Sequence, residues 1–339
     1  MLRLSSLTRS LAATLACAGI AVASYAAPYD KAIFFGDSLT DAGNLAITNG
    51  SNPGQVITGN TYIPSQPYAS GQFTNADVWA ATFAAALGLA PSGQPALTGG
   101  GNYAFGGARI ATDGVGLPPS LAAQEAVFLL GHGGSAPAGA LYVIEGGGND
   151  ARDAFAAAAA VMDPTAIIAA AANAYAQATG ALVDQLQAAG AQHIAVWDVP
   201  NLGLAPAVTA FGAGASFLGT LISQAMNSAL STRLAAEAGV TIFDVFGLQN
   251  QIVANPASFG LANVSDACGA IVGCDPSTFL YWDGIHPTSA GHAILAQAML
   301  AVVAVPEPAE VALMLAGLVL IGARTARLRR GGRAREVAP

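Results

Sequence analysis

KAIFFGDSLTDAGN, residues 31–44, is the stretch that decides the fold. Its apolar run at 32–35 predicts a short buried strand. The run ends at Gly36, and a turn rich in Ser, Asp and Gly follows at once. Because a turn after a parallel strand lies at the carboxyl edge of the sheet, where open α/β folds bind ligands, we expect an accessible Ser38 hydroxyl there. The same residues also fit an ordinary strand-to-helix turn with Ser38 as an N-cap, and this stretch alone does not separate the two interpretations.

Strand-like and helix-like segments alternate along the rest of the chain. Short apolar runs indicate strands, and apolar residues at helical spacing or an alanine-rich composition indicate helices. This alternation predicts an α/β fold with a central parallel sheet and helices on both faces. The predicted strands cover 32–35, 140–145, 193–199 and 241–245, and the predicted helices cover 77–89, 152–190 with an interruption near 163–164, 217–238 and 289–303.

A carboxylate and an imidazole stand close together near the end of the predicted domain. Asp283 and His286 lie in YWDGIHPT, residues 281–288, on a tight turn before the last predicted helix. At this spacing the carboxylate can accept a hydrogen bond from one ring nitrogen while the other nitrogen faces outward. A serine hydroxyl needs such an oriented base in order to lose its proton. The other histidines have no such partner and are interpreted as loop or core residues: His132, His193 and His292.

Four motifs occur in order, each near the end of a strand-like run. They are GDSL at 36–39, NYAFGGA at 102–108, GGND at 147–150 and DGIHPT at 283–288. Each is weak by itself, but four in this order resemble the motif blocks of the GDSL, or SGNH, hydrolase family. The resemblance covers about residues 29–303. It implies a flavodoxin-like, three-layer α/β/α sandwich and a serine esterase or lipase that cleaves carboxylic esters through an acyl-enzyme.

The resemblance also implies a role for each matching residue. Ser38 would be the nucleophile, His286 the general base and then the general acid, and Asp283 the residue that orients His286. The oxyanion hole would consist of the backbone N–H groups of Ser38 and Gly107 and the side-chain amide of Asn149.

Details of the resemblance stay open. If the second motif aligns one residue earlier, Gly106 replaces Gly107 as the backbone donor. The family often has an arginine at the position of Gln72 and a glycine at that of Ala76. These departures leave the chemistry intact but put the choice of substrate in doubt.

Several substrates and functions fit the same residues. The ester could be a short or medium acyl ester, a lipid or an O-acetylated polysaccharide, and no metal or organic cofactor is expected. A thioesterase or an acyltransferase would use the same groups. A different class of function is a non-catalytic surface or matrix-binding module on this fold, which the retained Ser38, His286 and Asn149 argue against.

Two cysteines belong to the predicted domain. Cys268 and Cys274 lie in a Gly-rich loop, and in an exported protein such a pair is expected to form a disulfide. A metal site would need further ligands at matching spacing, and no histidine lies close by in the sequence. The third cysteine, Cys17, lies in the predicted leader.

The charge of the predicted domain restricts its partners. Residues 28–305 contain four Lys or Arg against seventeen Asp or Glu, a formal net charge of −13. A domain this acidic repels phosphate backbones, so nucleic acid is not expected as a partner.

Both ends of the chain look like targeting segments, and the hydrolase-like domain is expected to span 27–304. Residues 1–26 have a basic start, an apolar run and a small-x-small cleavage site, which predicts a secretory signal peptide. A lipoprotein signal through Cys17 fits less well, because Thr14 stands where an aliphatic residue is expected.

Residues 305–335 combine a Pro-Glu-Pro motif, a short apolar stretch and an arginine cluster. This order resembles the PEP-CTERM sorting signal of Gram-negative bacteria. The resemblance implies transient anchoring in the inner membrane, cleavage by an exosortase-type protease, and delivery to the cell surface or extracellular matrix. The alternative is an ordinary single-pass anchor, although the apolar part is shorter than the ~20 residues that a span needs.

Overall fold

The computed structural model describes residues 29–50, 66–69 and 71–303. The predicted signal peptide at 1–26 and the predicted sorting signal at 305–335 lie outside the described residues. The described part contains a central parallel sheet with helices on both faces and a small second sheet.

The strands of the central sheet are all parallel, in the order β1-β2-β3-β4. They are β1 (Lys31–Phe35), β2 (Ala140–Ile144), β3 (His193–Trp197) and β4 (Val240–Phe243). In register, Phe35 lies opposite Ile144, so the segments that follow β1 and β2 leave the sheet at the same edge. Nearly all residues of β1 to β3 are buried, as is typical of a parallel sheet covered on both faces. The predicted α/β fold with a central parallel sheet is confirmed.

A single bridge replaces a strand on the far side of β1. Phe34 pairs in parallel with Asn102, through a bond of 3.0 Å from the Phe34 N–H to the Gly101 carbonyl and one of 2.8 Å from the Tyr103 N–H to the Phe34 carbonyl. A Cβ on Gly101 would lie 2.4 Å from the carbonyl oxygen of Ala32, so this close approach requires glycine. β1 therefore has chain on both sides, and the turn after β1 lies at the point where the connections diverge, which is where open α/β sheets form their binding crevice.

The helices divide between the two faces of the sheet. They are α1 (Asn44–Asn49), α2 (Trp79–Ala86), α3 (Leu121–Gly131), α4 (Gly148–Ala159), α5 (Thr165–Ala189), α6 (Pro206–Thr209), α7 (Ala213–Leu234), α8 (Val245–Ala254) and α9 (Ser289–Val303). Successive strand residues point to opposite faces. Ile33 and Phe35 pack with α3, α4, α5 and α7, whereas Ala32 and Phe34 pack with α2 and α9. The result is three layers.

The structure contains elements beyond those that we predict from the sequence. α3 was not expected, although Ser120 caps it by accepting a hydrogen bond from the Ala123 N–H at 3.2 Å. α8 and a small parallel sheet were also not expected. This sheet contains β5 (Asn263–Ala267) and β6 (Phe279–Tyr281). Only Ala267 of β5 is buried, so β5 lacks the apolar run that marks a strand. The small sheet matters because it carries the Cys268–Cys274 loop and leads into the turn with Asp283 and His286.

Among the described residues, α5 is long and apolar enough to cross a membrane by length and composition. Its buried residues, among them Ile168, Tyr175 and Leu186, lie in the core against the sheet and α7. The length and apolar composition of α5 are therefore those of a helix in the core of the sandwich.

Candidate active site

Ser38 lies in the turn directly after β1, and buried polar groups hold this turn. Gln124 on α3 bonds both backbone groups of Gly36, at 2.9 Å each. The Asp37 carboxylate accepts from the Leu39 N–H at 3.0 Å. Ser38 itself is 7% exposed and lines a pocket at the carboxyl edge of the sheet.

The structure brings Ser38, His286 and Asp283 together. Ser38 Oγ lies 2.8 Å from His286 Nε2, and His286 Nδ1 lies 2.5 Å from Asp283 Oδ2. Since an ionised carboxylate only accepts, Nδ1 carries the proton and Nε2 is free to accept from the serine hydroxyl. The turn is stiffened by bonds of 2.7 Å from the Ile285 and His286 N–H groups to Asp283 Oδ1. This is an alcohol, a base and an orienting carboxylate in contact.

Tyr68 also contacts the Asp283 carboxylate, and sequence reasoning missed it. Its hydroxyl donates to Asp283 Oδ2 at 2.5 Å, and its ring is buried against Cys268 and Trp282. Burial alone would raise the pKa of Asp283, but the charge of His286 and the hydrogen bonds from His286 and Tyr68 outweigh it and hold that pKa below its ordinary value. Asp283 therefore stays ionised in a site where it is fully buried.

The predicted oxyanion donors lie around the same turn and differ in whether their N–H groups already donate a hydrogen bond. The Gly106 N–H donates to Asp41 Oδ2 at 2.9 Å and is therefore occupied. The N–H groups of Ser38 and Gly107 donate to no group within residues 29–50, 66–69 and 71–303. Gly107 has φ +83°, a conformation that suits glycine.

Asn149 reaches the pocket from the first turn of α4, but its amide is engaged. Nδ2 donates to the Ala108 carbonyl at 3.0 Å and to Asp37 Oδ2 at 3.2 Å. Asn149, whose side chain is predicted as an oxyanion donor, is thus 8% exposed, and its amide donates to other protein groups.

A pair of buried carboxyl groups, Asp37 and Glu145, lies in and under the turn that contains Ser38. Glu145, at the end of β2, accepts from the Asp37 N–H at 3.3 Å and from the Thr40 hydroxyl at 2.9 Å. Burial raises the pKa of Asp37, and burial together with the Asp37 charge raises the pKa of Glu145 well above its usual range. Two buried carboxyl groups that interact disfavour each other's ionisation, which favours the protonated form of Glu145.

His292 is close to the site but belongs to the core. Its Nδ1 accepts from the Trp79 N–H at 3.1 Å, which ties α9 to α2. Burial lowers the pKa of His292 to about 3, so it is neutral and is not a competing base.

The pocket in front of Ser38 and His286 is mostly apolar. Its walls come from the segment after β3 and from the turn that contains Ile285, with Arg152 of α4 as a charged member. A further apolar cavity adjoins it and shares Leu39, Pro200 and Ile285. The wall residues of the first pocket include Leu39, Ala151, Val199, Pro200, Leu202, Ala205, Tyr281 and Ile285.

Cys268 and Cys274 are joined in a disulfide with Cα atoms 5.6 Å apart. The loop that they close is tied to the segment of Tyr68, because the Gln66 N–H donates to the Gly269 carbonyl at 3.0 Å. In the part of the chain that the structure describes, no group of three or more His, Cys, Asp or Glu side chains is placed to hold a metal ion.

The chain is similar in sequence to curated proteins from Pseudomonas. The chain is 30% identical over 335 residues to esterase EstA of Pseudomonas aeruginosa, an overlap that covers 85% of this chain and 49% of EstA. It is 28% identical over 347 residues to a protein encoded between trpE and trpG in Pseudomonas putida, covering 90% of this chain and 54% of that protein. The chain thus spans about half the length of these curated relatives.

Among solved structures, phospholipase A1 from Streptomyces albidoflavus superposes with a TM-score of 0.42 at 15% identity, over 81% of this chain and 99% of that one. The family model of the GDSL-like lipase/acylhydrolases matches residues 33–299, which include Ser38, Asn149, Asp283 and His286. With a match over most of its length, the chain belongs to the GDSL-like lipase/acylhydrolase family.

Proposed function

We propose that this protein hydrolyses carboxylic esters through a covalent acyl-enzyme. The observation that carries the proposal is the contact of Ser38 Oγ with His286 Nε2 at 2.8 Å, with His286 held by Asp283 at 2.5 Å. Membership of a lipase/acylhydrolase family and similarity to an esterase support it.

In the first half of the reaction, Ser38 Oγ attacks the ester carbonyl while His286 Nε2 takes its proton. The tetrahedral intermediate collapses, His286 returns the proton to the leaving alcohol, and the acyl group stays on Ser38. In the second half, His286 removes a proton from water, the hydroxide attacks the acyl carbon, and the proton passes back to Ser38 as the acid leaves. The ionised Asp283 stabilises the imidazolium formed in each half.

The developing oxyanion needs donors that are not already occupied. The N–H groups of Ser38 and Gly107 meet this requirement within the described residues, whereas that of Gly106 does not. Asn149 can also donate to the oxyanion if its Nδ2 gives up the bond to Asp37, which is the longer of its two hydrogen bonds. Each such donor contributes roughly 3–4 kcal/mol to transition-state stabilisation.

The apolar pocket supports a short or medium acyl chain, or a lipid ester, as substrate. Leu39, Pro200 and Ile285 line both the pocket at Ser38 and the adjoining cavity, so an acyl chain in the first pocket meets an apolar surface. An O-acetylated polysaccharide would use the first pocket alone.

The decisive experiment is Ser38→Ala on a panel of p-nitrophenyl esters of increasing chain length, run beside acetylated sugars. Ester turnover should fall by several orders of magnitude, because the change deletes only the attacking hydroxyl. Ser135→Ala, an exposed serine, is the matched control and should behave as wild type. A Ser38→Ala protein that keeps more than about a tenth of the wild-type rate would remove Ser38 from the mechanism.

We propose further that the protein is exported and sorted to the cell surface or extracellular matrix by an exosortase-type protease. The support comes from the residue patterns at 1–26 and 305–335 and from the disulfide, which is typical of oxidising compartments. Mass spectrometry of the mature protein from a host with the sorting system should show loss of roughly the last thirty residues. If the arginine-rich terminus persists on a membrane-bound product, a permanent anchor replaces this proposal.

A further inference from the structure

The cations of the described residues differ in whether they are paired. Arg109 forms an ion pair with Asp153 at 2.9 Å, and Arg233 pairs with Asp184 at 2.5 Å and with Glu237 at 2.7 Å. Within residues 29–50, 66–69 and 71–303, Arg152 and Lys31 form no ion pair. Lys31 is exposed at the start of β1, at the opposite edge of the sheet from Ser38.

The carboxylates nearest to Arg152 on α4 are committed elsewhere. Asp153 pairs with Arg109, and Asp150 Oδ2 accepts from the Ile110 N–H at 3.2 Å. Gly148 and Phe155, one helical turn before and after Arg152, are uncharged. Within the described residues the guanidinium therefore has no ion-pair partner, although its charge acts on the Asp37 carboxyl and the domain around it is strongly acidic.

Arg152 lines the same pocket as Ser38 and His286. The residue is half-buried. Asp37 also lines this pocket, and apolar residues, among them Val199, Leu202 and Ile285, form much of the rest. A guanidinium has several donors in a rigid, planar arrangement that matches carboxylate and phosphate oxygens. In a domain that otherwise repels anions, this pocket is the place where an anion next to the reacting ester would be accepted.

We propose that Arg152 binds an anionic group of the substrate, a carboxylate or a phosphate, so that the enzyme prefers esters that carry a negative charge close to the scissile bond. The proposal rests on the proposed ester hydrolysis and adds the class of substrate. It makes Arg152 a specificity-determining residue and leaves the bond-breaking chemistry to Ser38, His286 and Asp283.

A structural alternative is that Arg152 only balances the buried charge of Asp37, which lies beneath Ser38. The Arg152 charge does lower the pKa of Asp37, but its influence on that carboxyl is smaller than those of burial, the Leu39 N–H, His286 and Glu145. Under this alternative, loss of Arg152 would affect charged and neutral substrates equally. The ratio of activities on the two substrates therefore separates the two roles.

The test compares Arg152→Gln with wild type on two matched pairs of esters, using the full chain. The first pair is the mono-p-nitrophenyl ester of glutaric acid against p-nitrophenyl pentanoate, which places a carboxylate on the acyl side. The second is a lysophosphatidic acid against the monoacylglycerol with the same acyl chain, which places a phosphate on the alcohol side. In at least one pair, the ratio of kcat/KM for the anionic to the neutral ester should fall about tenfold or more, the usual effect of losing a charged hydrogen bond.

The responding pair shows on which side of the ester the anion lies, and so distinguishes a phospholipid from a dicarboxylic acid ester. The ratio does not depend on how much of the variant folds. Lys31→Gln removes the same charge from the opposite edge and should leave both ratios unchanged, and Arg152→Lys should retain part of the preference. If neither ratio changes by more than about twofold in Arg152→Gln, the proposal is wrong.

A binding measurement keeps this proposal separate from the ester hydrolysis on which it rests. If the wild type hydrolyses none of the four esters, the proposed reaction fails, and titration calorimetry with pentylphosphonate decides on the anion site. Wild type should then bind the phosphonate at least about tenfold more tightly than Arg152→Gln. Equal binding by the two proteins, or none by either, overturns the anion site.

Discussion

Replacing Tyr68 by Phe should destabilise the protein and slow its reaction through the loss of its hydrogen bond to Asp283. The phenyl ring stays, so the packing against Cys268 and Trp282 is retained. What disappears is the donation from Tyr68 Oη to Asp283 Oδ2, a bond of 2.5 Å to a fully buried carboxylate.

The size of the effect follows from the charge of the acceptor. A hydrogen bond to a charged group contributes about 1.5–3 kcal/mol to stability, whereas one between neutral groups contributes about 0.5–1.5 kcal/mol. The free energy of unfolding of Tyr68→Phe should therefore fall by about 1.5–3 kcal/mol. Tyr142→Phe is the matched control, because the Tyr142 hydroxyl donates to a neutral acceptor, the Pro137 carbonyl, at 3.0 Å.

Urea unfolding of the full chain measures both variants. The folded-state pKa of Asp283 lies below its ordinary value, so its stabilising contribution is fully present above the unfolded-state pKa of about 3.9 and is lost only as the pH falls through the folded value. The loss of stability should therefore be equal at pH 8 and pH 5. In the ester assay, kcat should fall about three- to tenfold with little change in KM, because Asp283 is ionised before and during the reaction and only its orientation suffers.

Two results would refute this reasoning. If Tyr68→Phe lowers the free energy of unfolding no more than Tyr142→Phe does, the bond to Asp283 does not have the strength of a charged hydrogen bond. If the difference from wild type disappears between pH 8 and pH 5, Asp283 is not ionised in that range.

Three further substitutions test the geometry of the site. His286→Ala should be about as damaging to ester turnover as loss of Ser38, and Asp283→Ala should be milder, because an imidazole still works when it is poorly oriented; equal losses in initial-rate assays would contradict separate roles. Gly106→Ala would place a Cβ 2.2 Å from the Phe73 ring, which packs on His286, and should lower the unfolding free energy by about 1–3 kcal/mol. Gly131→Ala, where a Cβ meets nothing within 4 Å, is its control. Equal unfolding midpoints for the two variants would show that the Phe73 ring moves aside without loss of stability.

The parts of the fold and site that the sequence could predict are those with local signals. The strand before Ser38 and the Asp283–His286 spacing are each visible within a few residues, and the alternation of elements predicts the parallel sheet. Tyr68 has no such signal, since its partner lies 215 residues away and no periodicity surrounds it. In the sequence, Glu145 reads only as the end of a strand. Its contact with Asp37, 108 residues away, becomes visible only in the fold.

Two other differences have physical causes of the same kind. The open alignment between Gly106 and Gly107 depends on which N–H is already occupied, and only the position of Asp41 answers that question. The small sheet was missed because β5 is too exposed to show an apolar pattern. α3, by contrast, could have been found, because Ser120 before an apolar run is a recognisable helix start.

The long separation between Ser38 and His286 has a consequence for the newly made chain. These two residues are 248 positions apart, and β1 and α9 are fastened together at their outer ends by the Tyr29 hydroxyl, which donates to the Val303 carbonyl at 3.0 Å. At a translation rate of roughly 5–20 residues per second, the serine exists for about 12–50 seconds before its base is synthesised. During that time its hydroxyl is an ordinary alcohol. In the proposed mechanism, a nascent or truncated chain that ends before residue 286 therefore contains Ser38 without its base, so Ser38 cannot attack an ester.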